Sequence, residues 1–229
     1  MAIDLDGTLV DSVADLHAAV VQMQRSLSLD AASPESVRHW VGNGIERLVH
    51  RALTGTMDED APAATFDAAL DGFERAYARL NGRHSTLYPG VIEGLDWLGT
   101  LDVPLVCVTN KARRFSMPLL DALGIAGRFA DHVAGDDVSR KKPDPAALLL
   151  AAERVGARPA RAVLIGDSIS DTGAARAAGF ASIGVSYGYN HGRTMRELED
   201  ALRPDAVIDS FSELPAAFGR LAVGLPRHP

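Results

Sequence analysis

The sequence predicts an α/β protein, a doubly wound parallel sheet interrupted near its start by an all-helical insertion. Three observations carry this. From Tyr88 onward, short apolar runs rich in Val and Ile alternate with helical stretches, the pattern of parallel strands joined by crossover helices. Residues 14–82 show helical periodicity alone. Polar clusters stand at the C-terminal ends of the predicted strands, the edge at which such sheets bind ligands.

Taken in order, Met1-Ala2-Ile3 leads into Asp4-Leu5-Asp6-Gly7-Thr8, a strand and its exit. Val13–Leu29 repeats apolar residues at helical spacing (Val13, Leu16, Val20, Met23, Leu27), and Ser33-Pro34-Glu35 starts a second helix with proline at its first position. Trp40 to Gly44 breaks it, Ile45–Leu53 resumes, and residues 60–80 place Phe66, Leu70, Phe73, Tyr77 and Leu80 on one face. This divides the chain into a helical cap, residues 14–82, and a Rossmann-like core, residues 1–13 and 83–229. In the core, helices are predicted over Val91–Leu98, Phe115–Leu123, Asp144–Val155 and Asp171–Ala178, with Gly124 and Gly179 as C-terminal stops. Strands are predicted over Val103–Val108, near His132-Val133, and over Ala162–Ile165, Ser182–Val185 and Ala206–Ile208. Leu225–Pro229, with two prolines, reads as a loose tail.

Composition excludes several function classes. A chain of 229 residues, 47% hydrophobic and 23% charged, is ordinary globular material. Its net charge of −7, without a run of Lys and Arg, lacks the footprint of a nucleic-acid-binding protein, so an anionic substrate must be held by local charges. No apolar run approaches the ~20 residues of a membrane span, and Asp4 and Asp6 interrupt any signal-peptide pattern. The single cysteine, Cys107, lies in an apolar run and reads as a buried small hydrophobe in a reducing compartment. The expectation is a cytoplasmic monomer or homodimer.

Asp4 and Asp6, two apart, face one small volume. Such a pair is either a solvated turn or a site in which a cation or proton separates two anions. Thr109-Asn110-Lys111 and Gly166-Asp167 to Asp171 fall on other strand exits, and Arg140-Lys141-Lys142-Pro143 precedes a helix. Acids, a hydroxyl and a lysine delivered to one sheet edge favour the site. Phosphoryl transfer needs these types: a carboxylate to attack phosphorus, hard oxygen ligands for Mg²⁺ and cancellation of negative charge. In that chemistry Asp4 and Asp167 ligate the metal with the Asp6 carbonyl, while Thr109 and Lys142 contact the phosphoryl oxygens with Asn110 beside them. Asp6 moves the proton, and Asp171 orients a metal-bound water or Lys142.

The set Asp4-Leu5-Asp6-Gly7-Thr8, Thr109-Asn110, Lys142-Pro143 and Gly166-Asp167 to Asp171 resembles the four motifs of the haloacid dehalogenase-like superfamily, in order and across nearly the whole chain. The resemblance implies that Asp4 is the nucleophile and Asp6 the acid/base. It also implies that Asp4, Asp167 and the Asp6 carbonyl hold Mg²⁺, and the Asp at position 6 implies a phosphatase or mutase. Within that superfamily, Arg38 to Gly44, Lys141 to Pro145 and Tyr187-Gly188-Tyr189-Asn190-His191-Gly192 resemble the bacterial phosphoglycolate phosphatase family. That narrower resemblance implies a small phosphorylated carboxylate, 2-phosphoglycolate, as substrate. A sugar-phosphate phosphatase or phosphomutase on the same core is the alternative. Only Met1-Ala2-Ile3 precede Asp4, where relatives carry several more residues. Gly42-Asn43-Gly44, before a cap helix, is a candidate for presenting N–H groups to the substrate carboxylate and equally reads as a plain turn. Arg38 and Arg47 are further candidate cap contacts.

Overall fold

The computed structural model describes residues 1–224. In chain order it contains β1 (Ala2–Ile3), β2 (Val10–Asp11), α1 (Val13–Ser26), α2 (Pro34–Trp40), α3 (Ile45–Thr54), α4 (Ala63–Leu80), β3 (Thr86–Leu87) and α5 (Val91–Gly99). There follow β4 (Val106–Val108), α6 (Arg113–Ala122), β5 (Asp131–Val133), α7 (Ala146–Arg154), β6 (Val163–Gly166), α8 (Ile169–Ala178), β7 (Ala181–Val185), β8 (Ala206–Ile208) and α9 (Leu214–Gly224). Six strands form one parallel sheet in the order β5-β4-β1-β6-β7-β8. The shortest of its strands is therefore central: Ile3 lies between Cys107 and Ile165 and is wholly buried. The Asp4 N–H extends the ladder by donating to the Ile165 carbonyl at 2.9 Å, which fixes Asp4 at the C-terminal edge of the sheet.

Being buried on both faces, the strands are almost continuously apolar, as parallel strands under helices must be. One face packs Ile3, Cys107, Ile165 and Ile183 under α5, α6 and α9. The other packs Ala2, Val106, Val108 and Leu164 under α7 and α8. Helices α1–α4 surround a separate cluster built on Met23, Val49, Phe73 and Tyr77, which Phe115 and Tyr189 join from the core side. A two-stranded antiparallel ribbon, β2 with β3, ties the entry to this insertion to its exit.

Several boundaries differ from the sequence expectation. The strand predicted over Val103–Val108 begins only at Val106, because Pro104 has no N–H for a ladder and Val103 is exposed. The helices expected at residues 60 and 144 begin at Ala63 and Ala146, each directly after a proline. The one expected from Asp171 begins earlier, at Ile169, with Ser168 as its N-cap. Helix α9 and the β2–β3 ribbon were not anticipated; two-residue strands are too short to show a period. The tail expected at Leu225–Pro229 lies outside the described residues.

The ribbon is locked by Asp15, a wholly buried carboxylate on α1. It accepts the N–H groups of Gly82, His84 and Ser85, each at 3.0 Å, and the Ser85 hydroxyl at 2.6 Å. Burial pushes its pKa up, but the hydrogen bonds from Ser85 and His84 outweigh burial and hold it below the usual carboxylate range. Asp15→Ala orphans these donors and is expected to lower unfolding stability by about 3 kcal/mol, measured by urea titration at pH 7. A depressed folded pKa gives stability that is present at neutral pH and lost as the carboxylate protonates. The difference between wild type and variant therefore shrinks in acid.

Candidate active site

The edge formed by the C-terminal ends of β1, β4 and β6 is where the candidate residues meet. After β1 the chain turns through Gly7, whose φ of +87° and position leave no alternative: a Cβ there would fall 2.3 Å from Asp167 Oδ2. The turn delivers the Thr8 hydroxyl to Asp167 Oδ1 at 2.9 Å. On the opposite flank Gly188 admits Asp167 equally closely, since a Cβ would lie 2.1 Å from the Asp167 Cβ, and the Tyr189 N–H donates to Asp167 Oδ2 at 2.8 Å. Both oxygens of Asp167 are thus held by neutral donors.

Lys142 is one of two buried lysines at this edge. Its Nζ, on a side chain only 2% exposed, donates to Asp4 Oδ1 at 2.7 Å, Asp171 Oδ1 at 2.6 Å and the Val108 carbonyl at 2.9 Å, using all three of its donors. Asn110 clamps it from behind: Asn110 Nδ2 donates to the Lys142 carbonyl at 3.0 Å, and the Lys142 N–H donates to Asn110 Oδ1 at 2.9 Å. Asp171 accepts, besides Lys142, the Ser168 hydroxyl at 2.7 Å and the Ser168 N–H at 3.1 Å. Thr109, at the end of β4, accepts the Lys111 N–H at 3.2 Å on Oγ1, which leaves its hydroxyl proton for the cleft. Asp6 stands apart from Lys142. Its two oxygens each receive Lys111 Nζ at 2.9 Å, and Ser12 Oγ donates to Oδ1 at 2.5 Å.

Asp4, Asp167 and Asp171 bring one carboxylate oxygen each within 4.8 Å of the others. When all three are ionised, these buried carboxylates outnumber the one ammonium of Lys142 by two charges, and Asp167 has no cationic partner among the described residues. Burial pushes Asp4 up from 3.8 to about 7, with Asp171 adding repulsion, and Lys142 pulls it only part of the way back. Burial, then repulsion from Asp171 and Asp4, also raises Asp167 well above its ordinary value. An all-oxygen donor set with this excess of negative charge fits a hard divalent cation, although both oxygens of Asp171 are already engaged by Lys142 and Ser168.

Where folding raises a carboxylate pKa, the folded state binds the extra proton, so stability falls as pH rises between the unfolded value and the folded one. In chelator, the protein is expected to lose thermal stability from pH 5 to about 7.5. Added divalent cation should restore it, with a stabilisation that grows with pH, because binding requires the ionised carboxylates. A cation-induced shift independent of pH would refute the assignment of these carboxylates as the site.

A cleft partly open to solvent separates this edge from helices α1 and α3. Gly42, Asn43 and Gly44 line it, all at positive φ, and Asn43 Nδ2 reaches Ser170 Oγ at 3.3 Å. The buried guanidinium of Arg51 holds this loop from behind, donating to the Trp40 carbonyl at 2.7 Å and Asn43 Oδ1 at 3.2 Å. Arg38 pairs with Asp11 at 2.6 Å, and its guanidinium lies 5.1 Å from the ring centre of Tyr189. Arg47 is not a cleft residue: it brackets the loop after α3 through the Met57 carbonyl and Asp60. Sequence reasoning assigned no role to Lys111, Thr8, Ser12 or Tyr189. Lys111 carried a usable signal, because it sits two residues beyond Thr109 on the same strand exit and shares its side.

The family model for haloacid dehalogenase-like hydrolases matches residues 1–179. A phosphoglycolate phosphatase of Nitrosococcus oceani is 47% identical over 212 residues, 93% of this chain and 92% of the relative. One from Pseudomonas putida is 45% identical, covering 97% of this chain and 80% of the relative. The crystal structure of a "predicted phosphoglycolate phosphatase" from Haemophilus somnus superposes with a TM-score of 0.87 at 31% identity, covering 95% of this chain and 96% of that one. These matches span most of the chain, and the chain belongs to the haloacid dehalogenase-like hydrolases.

Proposed function

We propose that this hydrolase cleaves 2-phosphoglycolate to glycolate and phosphate, with Mg²⁺ as its metal and an aspartyl phosphate as intermediate. One observation carries the substrate: the resemblance to phosphoglycolate phosphatases spans 93% of this chain, so it includes residues 14–82 as well as the sheet. Chemistry common to the superfamily needs only the sheet edge, whereas the residues facing a substrate's far end come from the insertion, which acts as a cap. Fold alone does not select a substrate.

In this reading Asp4 attacks phosphorus, the ester P–O bond breaks, and Asp6 gives its proton to the departing alkoxide oxygen. Asp6 then takes a proton from water, which attacks phosphorus. The bond from phosphorus to the Asp4 oxygen breaks, and phosphate leaves. Lys142 holds Asp4 in place and, with the Thr109 hydroxyl, offsets charge on the phosphoryl oxygens; Asn110 fixes Lys142 and Asp171 orients it. Asp4, Asp167 and the carbonyl of Asp6 would hold the Mg²⁺, whose charge, when bound, stabilises the transferring phosphoryl group. Gly42, Asn43 and Gly44 close over the carboxylate end of the substrate, where backbone N–H groups at the start of α3 suit an anion. Cys107, wholly buried and with its thiol pushed up by burial, supports a reducing, cytoplasmic setting.

The test is a phosphate-release screen over phosphoglycolate, phosphoserine and hexose phosphates, with and without Mg²⁺. The expected result is Mg²⁺-dependent release with phosphoglycolate clearly preferred. Equal rates on hexose phosphates, or return of an isomerised sugar phosphate in place of free phosphate, would overturn the substrate while leaving the family unchanged.

A further inference from the structure

We infer that Lys111 is a positioning residue that holds the Asp6 carboxylate in the orientation from which it can serve the leaving oxygen. The inference rests on the proton-transfer role proposed above for Asp6. Its basis is that the two acids of the opening motif have separate counter-ions. Lys142 spends its donors on Asp4, Asp171 and the Val108 carbonyl, and none of these contacts reaches Asp6. Lys111, only 5% exposed, meets both Asp6 oxygens at 2.9 Å.

The ammonium is boxed in. Its backbone N–H is tied to Thr109 Oγ1, which sets the base of the side chain, and its Nζ lies 4.8 Å from the ring centre of Tyr77. Tyr77 is wholly buried on α4. Here the ring serves as an apolar and cation-attracting wall. The Asp6 side chain has two torsions. With one ammonium bridging both oxygens and Ser12 Oγ on Oδ1, Asp6 is left a single orientation. A general acid acts only within hydrogen-bond reach of its target, and a displacement of about 1 Å is costly. Without Lys111, Asp6 is free to turn away from the leaving oxygen.

The experiment compares wild type, Lys111→Gln, Lys111→Met and, as reference, Asp6→Asn. For each, kcat/KM is measured in Mg²⁺ with p-nitrophenyl phosphate, with an alkyl phosphate that has no carboxylate, and with phosphoglycolate. p-Nitrophenolate departs without a proton, whereas an alkoxide requires one. Because kcat/KM extends only to the first irreversible step, later hydrolysis of the phosphoenzyme does not enter. The ratio of alkyl to aryl kcat/KM within one preparation is also independent of how much protein is folded. Both Lys111 variants are expected to lower that ratio roughly 10- to 100-fold, in the same direction as Asp6→Asn. An unchanged ratio in the Lys111 variants beside a lowered one in Asp6→Asn overturns the inference. So does a loss confined to phosphoglycolate, which would make Lys111 a contact for the substrate carboxylate. If Asp6→Asn itself leaves the ratio unchanged, the proton-transfer role of Asp6 fails and the inference falls with it.

Discussion

Asp4→Asn is expected to lower turnover by at least about 10⁴-fold while the protein remains folded. The amide keeps the size of the side chain and can still accept from Lys142, but it is not a nucleophile toward phosphorus. Folding should not suffer, because the charge removed is one the fold opposes: burial and Asp171 both disfavour the ionised form of Asp4. In chelator above pH 7 the variant is therefore expected to melt at a higher temperature than wild type. Residual turnover within 100-fold of wild type would mean that another group attacks.

Lys142→Met has the opposite character, because it removes the cation that Asp4 and Asp171 share. The expected effects are a loss of at least about 10³-fold in kcat and of about 3–5 kcal/mol in stability at pH 8, the usual result of unpairing buried ions. The sign with pH follows from Asp4. Its folded pKa, about 7 with Lys142 present, rises further without the ammonium, so the carboxylate is neutral in acid and unpaired only when ionised. The stability deficit should therefore shrink from pH 8 to pH 5. The double variant Lys142→Met with Asp4→Asn should recover part of the deficit at pH 8, the coupling a mutant cycle measures. A deficit that does not change with pH would assign the loss to packing of the lysine stem.

The two substitutions act on neighbouring atoms with opposite effects on folding, because the site concentrates negative charge on an apolar sheet. Ile3, Cys107 and Ile165, beneath it, are wholly buried. That burial is what raises Asp4 and Asp167, and Lys142 lowers Asp4 only part of the way back. The same field explains the two glycines. Gly7 and Gly188 let backbone close on Asp167 from both sides, so that its oxygens meet Thr8 and Tyr189 and not bulk water.

Much of this was legible before any coordinates. Parallel strands covered on both faces must be apolar, so a carboxylate or threonine ending such a run marks an exit, and Asp4, Thr109 and Asp167 are all found that way. Helix stops such as Gly124 and Gly179, and the start at Ser33-Pro34, are local chemistry and equally readable. Less legible was anything resting on a two-residue element. The β2–β3 ribbon has no period to detect, and the true start of β4 depended on which N–H groups Pro104 leaves to pair.

What the sequence by itself determined was the class of fold, the helical insertion and the list of polar residues brought to one sheet edge. These depend on periodicity and on residues within a few positions of each other. Partner choice belonged to the tertiary structure. Lys111 meets Asp6 across 105 positions, Lys142 meets Asp4 across 138, and Thr8 meets Asp167 across 159. Which lysine takes which carboxylate follows from strand order and from burial that strengthens the chosen pair, and neither is written in any local stretch of the chain.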